Sequence, residues 1–248
     1  MDRLAAAHGD RVLVEEPGGP TLTFAQAAAR VGAMAAGISS GAGPGERVVV
    51  ATANGYDQFL LCLAASRAGN VAVPVNPQMR PEEVEHVVRD SAATLVVRSA
   101  DQVLQAAGSL SVVPPSPDPM AVAAIFYTSG TTGTPKGVRL THRALLGQGA
   151  MASLWPAGLR RDEAVAALPV AHIMGFVVMG AVACAGVPMF SLPRFRPAMV
   201  LDAIETRRST IFIGVPAMYR MLLEAGAEQR DLRSVSYTHL TLPTILRV

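Results

Sequence analysis

The feature that most limits how this chain can fold is a repeated exchange of short β-like apolar runs with longer amphipathic segments. Arg11 to Val14 reads as a strand. Thr23-Phe-Ala-Gln26 then has the Thr-x-x-Gln form of a capping box, in which each end side chain satisfies a backbone N–H left unpaired by the first helical turn. Phe24, Ala28, Val31, Ala35 and Ile38 continue at helical spacing, and Gly41 to Gly45 ends that helix. The exchange recurs with a strand at Arg47 to Ala51, then a helix at Tyr56 to Ala68 carrying Phe59, Leu60 and Leu63 on its apolar side. A strand at Asn70 to Val75 follows, then a helix opened by Pro81 with Glu82 and Glu83 in its first turn, then a strand at Thr94 to Val97. This β-α-β-α rhythm predicts an α/β fold of mostly parallel sheets flanked by helices.

Val112 to Met120 contains four prolines and reads as an extended linker. Ala121 to Thr128 is an apolar strand; further helices are expected near Thr141 to Met151, Pro197 to Arg207 and Pro216 to Glu224, with a strand at Thr210 to Ile213. From Ala164 to Pro193 no residue carries a formal charge, a run longer than the roughly 20 residues that span a bilayer. Pro169, His172, Gly175 and Pro188 break it into a strand (Ala164 to Leu168), a helix (Ile173 to Ala185) and a strand (Val187 to Leu192). We therefore read it as buried core and expect no integral membrane segment.

Lys plus Arg is 21 and Asp plus Glu is 19, spread along the chain with no basic stripe, which argues against a nucleic-acid partner. The two cysteines, Cys62 and Cys184, lie far apart in apolar runs and read as reduced core thiols. Asp2, Arg3 and Asp10 interrupt any secretory signal, so a cytoplasmic location is expected.

Directly after the Ala121 to Thr128 strand, Tyr127-Thr-Ser-Gly-Thr-Thr-Gly-Thr-Pro-Lys-Gly-Val138 packs three glycines, five Ser or Thr hydroxyls and one lysine into twelve positions. Glycines let backbone N–H groups approach an anion, hydroxyls add hydrogen bonds, and Lys136 supplies a mobile positive charge. Such composition suits phosphate. A Walker A loop is excluded because Lys136 stands between Pro135 and Gly137, and Gly130 with Gly133 alone does not make a dinucleotide fingerprint.

Tyr127 to Val138 resembles the signature loop of the adenylate-forming (AMP-binding) superfamily, most closely its acyl-CoA synthetases. Four other segments agree in order. Leu22-Thr-Phe24 resembles the first core motif and Arg67-Ala-Gly-Asn-Val-Ala-Val-Pro-Val-Asn-Pro77 the second. Leu168-Pro-Val-Ala-His-Ile-Met-Gly175 is similar to the fourth, and Val215-Pro-Ala-Met-Tyr219 to a segment lining the acyl pocket.

The resemblance implies a two-step reaction. A carboxylic acid attacks the α-phosphorus of ATP to give acyl-AMP and pyrophosphate, and the thiol of coenzyme A then displaces AMP. It implies that Thr128, Ser129, Gly130, Thr131, Thr132, Gly133, Thr134 and Lys136 hold the ATP phosphates, with the Thr131 hydroxyl on Mg²⁺. It also implies that His172 lies beside the carboxylate and the adenylate, and that Met174, Phe176, Val177, Met218 and Tyr219 line an acyl pocket. His142 is expected only to help start a helix; His8, His86 and His239 have no supporting context.

The family's later Gly-x-Thr-Glu and Thr-Gly-Asp segments, and its small lysine-bearing C-terminal lid domain, do not occur in these 248 residues. Residues 1–235 are therefore expected to be a partial AMP-binding N-terminal domain, and 236–248 to be a non-native tail resembling translated vector sequence. The fragment alone is expected to be inactive. Two alternatives stay open: an adenylation domain that loads a carrier protein, and a non-catalytic nucleotide-binding module.

Overall fold

The computed structural model describes residues 1–108, 118–128, 134–149 and 162–239. Most of the proline-rich linker, Ser129 to Gly133 of the loop, and the last nine residues of the expected tail lie outside them. A short helix α1 (Asp2–His8) precedes a hairpin of β1 (Val12–Glu15) and β2 (Thr21–Thr23), and α2 (Phe24–Ser39) follows at once. The expected capping box forms there: Gln26 N donates to Thr23 Oγ1 at 3.2 Å, and Thr23 N donates to Gln26 Oε1 at 2.9 Å. Next come β3 (Arg47–Val50), α3 (Tyr56–Arg67), β4 (Val71–Pro74), α4 (Pro81–Asp90), β5 (Leu95–Val97) and α5 (Ala100–Ala106). Pro81 opens α4 where a backbone N–H would lack a partner in any case, as its position predicts.

The second half begins with β6 (Val122–Thr128), β7 (Lys136–Thr141) and α6 (His142–Gly149), and continues with β8 (Ala164–Ala166), α7 (Ile173–Cys184) and β9 (Met189–Ser191). It then runs through α8 (Pro197–Arg207), β10 (Ile211–Ile213), α9 (Pro216–Glu224) and β11 (Tyr237–His239). The uncharged run from Ala164 thus becomes strand, helix and strand. Among the described residues no helix is long and apolar enough to cross a membrane.

The strands form two sheets. One has the order β5-β3-β4-β6-β7, parallel except for β7, which runs antiparallel to β6. The other has the order β11-β10-β8-β9-β1-β2, parallel except for β2. The segment expected to be foreign opens with β11, which extends this second sheet alongside β10.

Alternation along the strands sorts their side chains into layers. Val48, Val50, Ala124 and Phe126 of the first sheet, and Ala164, Met189 and Ile211 of the second, share one central core with α2, α3, α5 and α7. Val49, Val73 and Ile125 point the other way, onto α4. Val165 and Phe212 point outward from the second sheet onto α8 and α9. The sequence of layers is therefore helix, sheet, helices, sheet, helices.

Two polar ties cross the central layer. Tyr56 N, at the start of α3, donates to Glu16 Oε1 at 2.6 Å just beyond β1. Asn54 accepts from Val170 N at 2.8 Å and donates to Pro193 O at 2.9 Å.

One expectation is corrected. Cys62 is buried, but Cys184 is exposed at the last position of α7, where the apolar run leaves the core. Gly175 lies inside the first turn of α7, within the helix expected from Ile173, and a Cβ there would stand 2.1 Å from the Pro169 carbonyl oxygen.

Candidate active site at the β6–β7 hairpin

The loop expected to hold phosphate spans the gap between β6 and β7. Its middle, Ser129, Gly130, Thr131, Thr132 and Gly133, lies outside the described residues, but both stems are fixed. Thr128 ends β6 directly across the ladder from Lys136, the first residue of β7. Both are exposed, as is Thr134. A hydroxyl and an ammonium group thus flank the loop's base on adjacent strands.

Gly137 serves a purpose other than the anion approach expected of it. It faces Tyr127 in the ladder, and a Cβ there would meet Ile125 Cγ2 at 2.8 Å and Tyr127 Cζ at 3.0 Å. The Tyr127 ring lies across the space that glycine leaves and reaches α4, where its hydroxyl donates to Asp90 Oδ2 at 2.6 Å. Burial, and next the bond to Asp90, push the Tyr127 phenol well above its ordinary pKa, so it stays a donor. On the other stem, His86 Nε2 lies 3.0 Å from Pro135 O, and its ring meets the edge of Tyr127 at 6.4 Å. Sequence alone gave His86 no context because its partner is a backbone carbonyl 49 residues away.

His172 is the N-cap residue of α7, and its Nδ1 accepts from Met174 N at 3.2 Å. With Nδ1 accepting, a neutral ring carries its proton on Nε2 and presents a donor to solvent beside a helix N-terminus, a position that favours anions. His172 N donates back to Pro169 O at 3.1 Å, the same carbonyl that Gly175 leaves room for. The spacing Pro169-x-x-His172-x-x-Gly175 is therefore a tight turn packed against its own helix. The turn is joined to the hairpin through Phe176, one turn further on, whose ring lies 5.5 Å from that of Phe126 in β6.

The residues expected to line an acyl pocket divide. Met174 and Val177 are half-buried, and Phe176 is enclosed between Phe59 and Phe126. Tyr219 packs on Phe212 and donates its hydroxyl to the Phe212 carbonyl oxygen at 3.1 Å, so it belongs to the β10–α9 core. His142 does begin α6, but the capping oxygen is Thr141 Oγ1, which accepts from Ala144 N at 3.2 Å. Burial holds the His142 pKa below its ordinary value.

A cleft of about 720 Å³ opens at the carboxyl ends of β3 and β4, lined by Thr52, Asn76, Met79, Val88, Arg89 and Arg98 among others. There α3 leaves toward the central core and α4 toward the opposite face, so adjacent strands send their chains in opposite directions. Crevices at such switch points are the usual ligand sites of open α/β sheets. Among the described residues no cluster of three or more His, Cys, Asp or Glu side chains could hold a metal ion.

Comparison with known proteins agrees with this architecture. The description "AMP-binding enzyme" matches residues 1–243. The chain is similar to a feruloyl-CoA synthase of Amycolatopsis sp, 33% identical over 226 residues that cover 83% of this chain and 46% of that protein. It is similar to a 4-chlorobenzoate–CoA ligase of Arthrobacter sp, 27% identical over 245 residues covering 87% of this chain and 47% of the other. The chain thus spans about half the length of the curated relatives it matches. In fold it resembles the N-terminal domain of FACL13 from Mycobacterium tuberculosis, with a TM-score of 0.84, 24% identity, and coverage of 96% of this chain and 68% of that one. With the family description matched over nearly its whole length, on a layered α/β body that carries the signature hairpin, this chain belongs to the AMP-binding enzyme family.

Proposed function

We propose that this chain supplies the ATP-phosphate half of an acid–CoA ligase, which activates a carboxylic acid as acyl-AMP and passes the acyl group to coenzyme A. The observation that carries the reading is the β6–β7 hairpin, which sets Thr128 and Lys136 side by side at the base of a glycine- and hydroxyl-rich loop. Activation brings a carboxylate against a polyphosphate, so donors on the phosphates must relieve repulsion and stabilise charge on departing pyrophosphate. Lys136, Thr128, Thr134 and the backbone and hydroxyls of Ser129 to Gly133 take that role. When bound with ATP, Mg²⁺ supplies further charge neutralisation, with the Thr131 hydroxyl as its contact from this chain. His172 donates from Nε2 toward the carboxylate or the new acyl-phosphate oxygen at the start of α7.

The switch-point cleft, with Arg89 and Arg98 on its wall, suits the phosphate-bearing part of coenzyme A. Both relatives described above are named for acids that carry an aromatic ring, so aromatic carboxylic acids are the first substrates to screen. We place the protein in the cytoplasm, where Cys62 and Cys184 stay reduced. We also propose that turnover needs the Gly-x-Thr-Glu, Thr-Gly-Asp and lysine-bearing segments, so these 248 residues bind nucleotide without completing the reaction.

The test is equilibrium binding of Mg-ATP to the chain and to Lys136→Ala, beside carboxylate-dependent exchange of pyrophosphate into ATP. Binding weakened about tenfold or more by the substitution is expected, as for loss of a charge-assisted bond. Equal affinities would overturn the phosphate assignment. Robust exchange by the chain alone would overturn the inactivity.

A further inference from the structure

We infer that His86 and Asp90 on α4 are positioning residues for the nucleotide site: they grip the two stems of the β6–β7 hairpin and fix where its stem donors, Thr128 and Lys136, stand. The inference rests on reading that hairpin as the ATP-phosphate site.

The two residues are four apart, so they share one face of α4. Each takes hold of the hairpin one residue before a phosphate-facing side chain. Asp90 Oδ2 accepts from Tyr127, the neighbour of Thr128, at 2.6 Å. His86 Nε2 reaches Pro135 O, the neighbour of Lys136, at 3.0 Å. A carbonyl oxygen can only accept, so His86 Nε2 carries the proton in this contact.

The hairpin needs such a restraint. Among the described residues it is the one antiparallel pair in its sheet, and β7 is an edge strand bonded to β6 alone. Gly137 deepens the weakness, since glycine in a strand gives its neighbours no side chain to pack on. The Tyr127 ring fills that place and converts it into a lever reaching α4. The bond from Tyr127 ends on a carboxylate, which makes it the stronger of the two grips.

Neither grip belongs to the hydrophobic core. Asp90 is exposed and His86 is half-buried, whereas Val87 between them is the residue of α4 that is fully enclosed. Removing a grip should therefore loosen the stems that carry Thr128 and Lys136 while leaving the body of the fold intact. That separation distinguishes positioning from a structural role.

The experiment measures Mg-ATP binding and thermal unfolding of the chain and of His86→Leu, His86→Gln, Tyr127→Phe and Lys136→Ala. Gln keeps an amide nitrogen that can donate near the place of His Nε2, and Leu keeps bulk without a donor. Phe keeps the ring over Gly137 and loses only the bond to Asp90. We expect His86→Leu and Tyr127→Phe each to weaken ATP binding about three- to tenfold, the worth of one hydrogen bond. His86→Gln should remain within about twofold of the parent, and all three should unfold near the parent temperature.

If Lys136→Ala weakens binding while His86→Leu and Tyr127→Phe bind as the parent does, the positioning role is overturned and the phosphate site stands. Losses in His86→Leu and His86→Gln that are equal and track their unfolding temperatures would also overturn it. A parent chain that binds no ATP, or a Lys136→Ala variant that binds normally, removes the phosphate site and this inference with it.

Discussion

Two glycines in α7 should respond to the same substitution with opposite signs. A Cβ added at Gly175 would lie 2.1 Å from the Pro169 carbonyl oxygen, 2.6 Å from its carbon and 3.1 Å from the Leu168 oxygen. Ordinary contact begins at 3.4 Å, so two stretches of backbone would have to part by roughly 1.3 Å. Neither is a flexible side-chain end that could swing away. Overpacking costs about 1–3 kcal/mol, and a backbone-on-backbone clash belongs at the upper end. Replacing a helical glycine by alanine returns about 1 kcal/mol, which leaves Gly175→Ala destabilised by about 2 kcal/mol.

A Cβ at Gly180, five residues further along the same helix, meets nothing within 4 Å. Gly180→Ala should therefore keep the whole helical gain of about 1 kcal/mol. For a chain of this size each kcal/mol moves the unfolding midpoint by about 2–4 °C. Thermal unfolding followed by circular dichroism should show Gly175→Ala lower by about 4–8 °C and Gly180→Ala higher by about 2–4 °C. Movement of both variants in the same direction would refute the claim that the spacing from Pro169 to Gly175 is a packing requirement of the turn that holds His172.

Other features can be probed as directly. Burial holds the Glu16 carboxyl above its ordinary pKa, so the folded chain keeps that proton more tightly than the unfolded chain does. Its contribution to stability therefore falls as pH rises from the unfolded value of 4.5 through the folded one. Glu16→Gln, which can still accept from Tyr56 N, should gain on the parent across that window and hold a constant advantage above it; a difference independent of pH in urea unfolding would sink this. Cys184 is exposed, whereas Cys62 is buried with its thiol pushed up to about 12, so one thiol per native chain should react with a disulfide reagent. Rapid reaction of both before unfolding would contradict the packing of α3.

Where sequence and structure agree, the signal is local. Thr23 and Gln26 state their capping box in four consecutive residues, and Pro81 and Pro197 mark first helical turns without reference to anything distant. The exchange of strands and helices was legible for the same reason. What escaped notice depends on remote partners. The strand β7 overlaps residues read as loop, because its pairing with β6 comes from the ladder and not from its own composition. Helix α5 packs so closely on α2 that a Cβ at Gly37 would fall 1.7 Å from the Val103 oxygen, a constraint no spacing announces. The division into two sheets was equally hidden, since β1 and β9 are neighbours across most of the chain. Among the candidate residues, Lys136 and His172 are marked by their motifs, while His86, Asp90 and Asn54 act on backbone or on Tyr127 and carry no motif.

Behind the switch-point cleft, the amide of Gln58 in α3 is fully buried and donates to Val75 O at 2.9 Å, with Val50 O at 3.4 Å and Thr52 O at 3.5 Å also in reach. Those carbonyls stand at and just beyond the last paired residues of β3 and β4, where their chains diverge. One side chain thus works as a crossbeam that keeps the two strand ends at a fixed span. The residues facing the cleft from α4 and from beyond β5 take no part in it. The width of the cleft and its chemical character are therefore written in different parts of the sequence. Substitutions at Met79, Val88, Arg89 or Arg98 can change what the cleft accepts while Gln58, out of reach of any ligand, holds its dimensions constant.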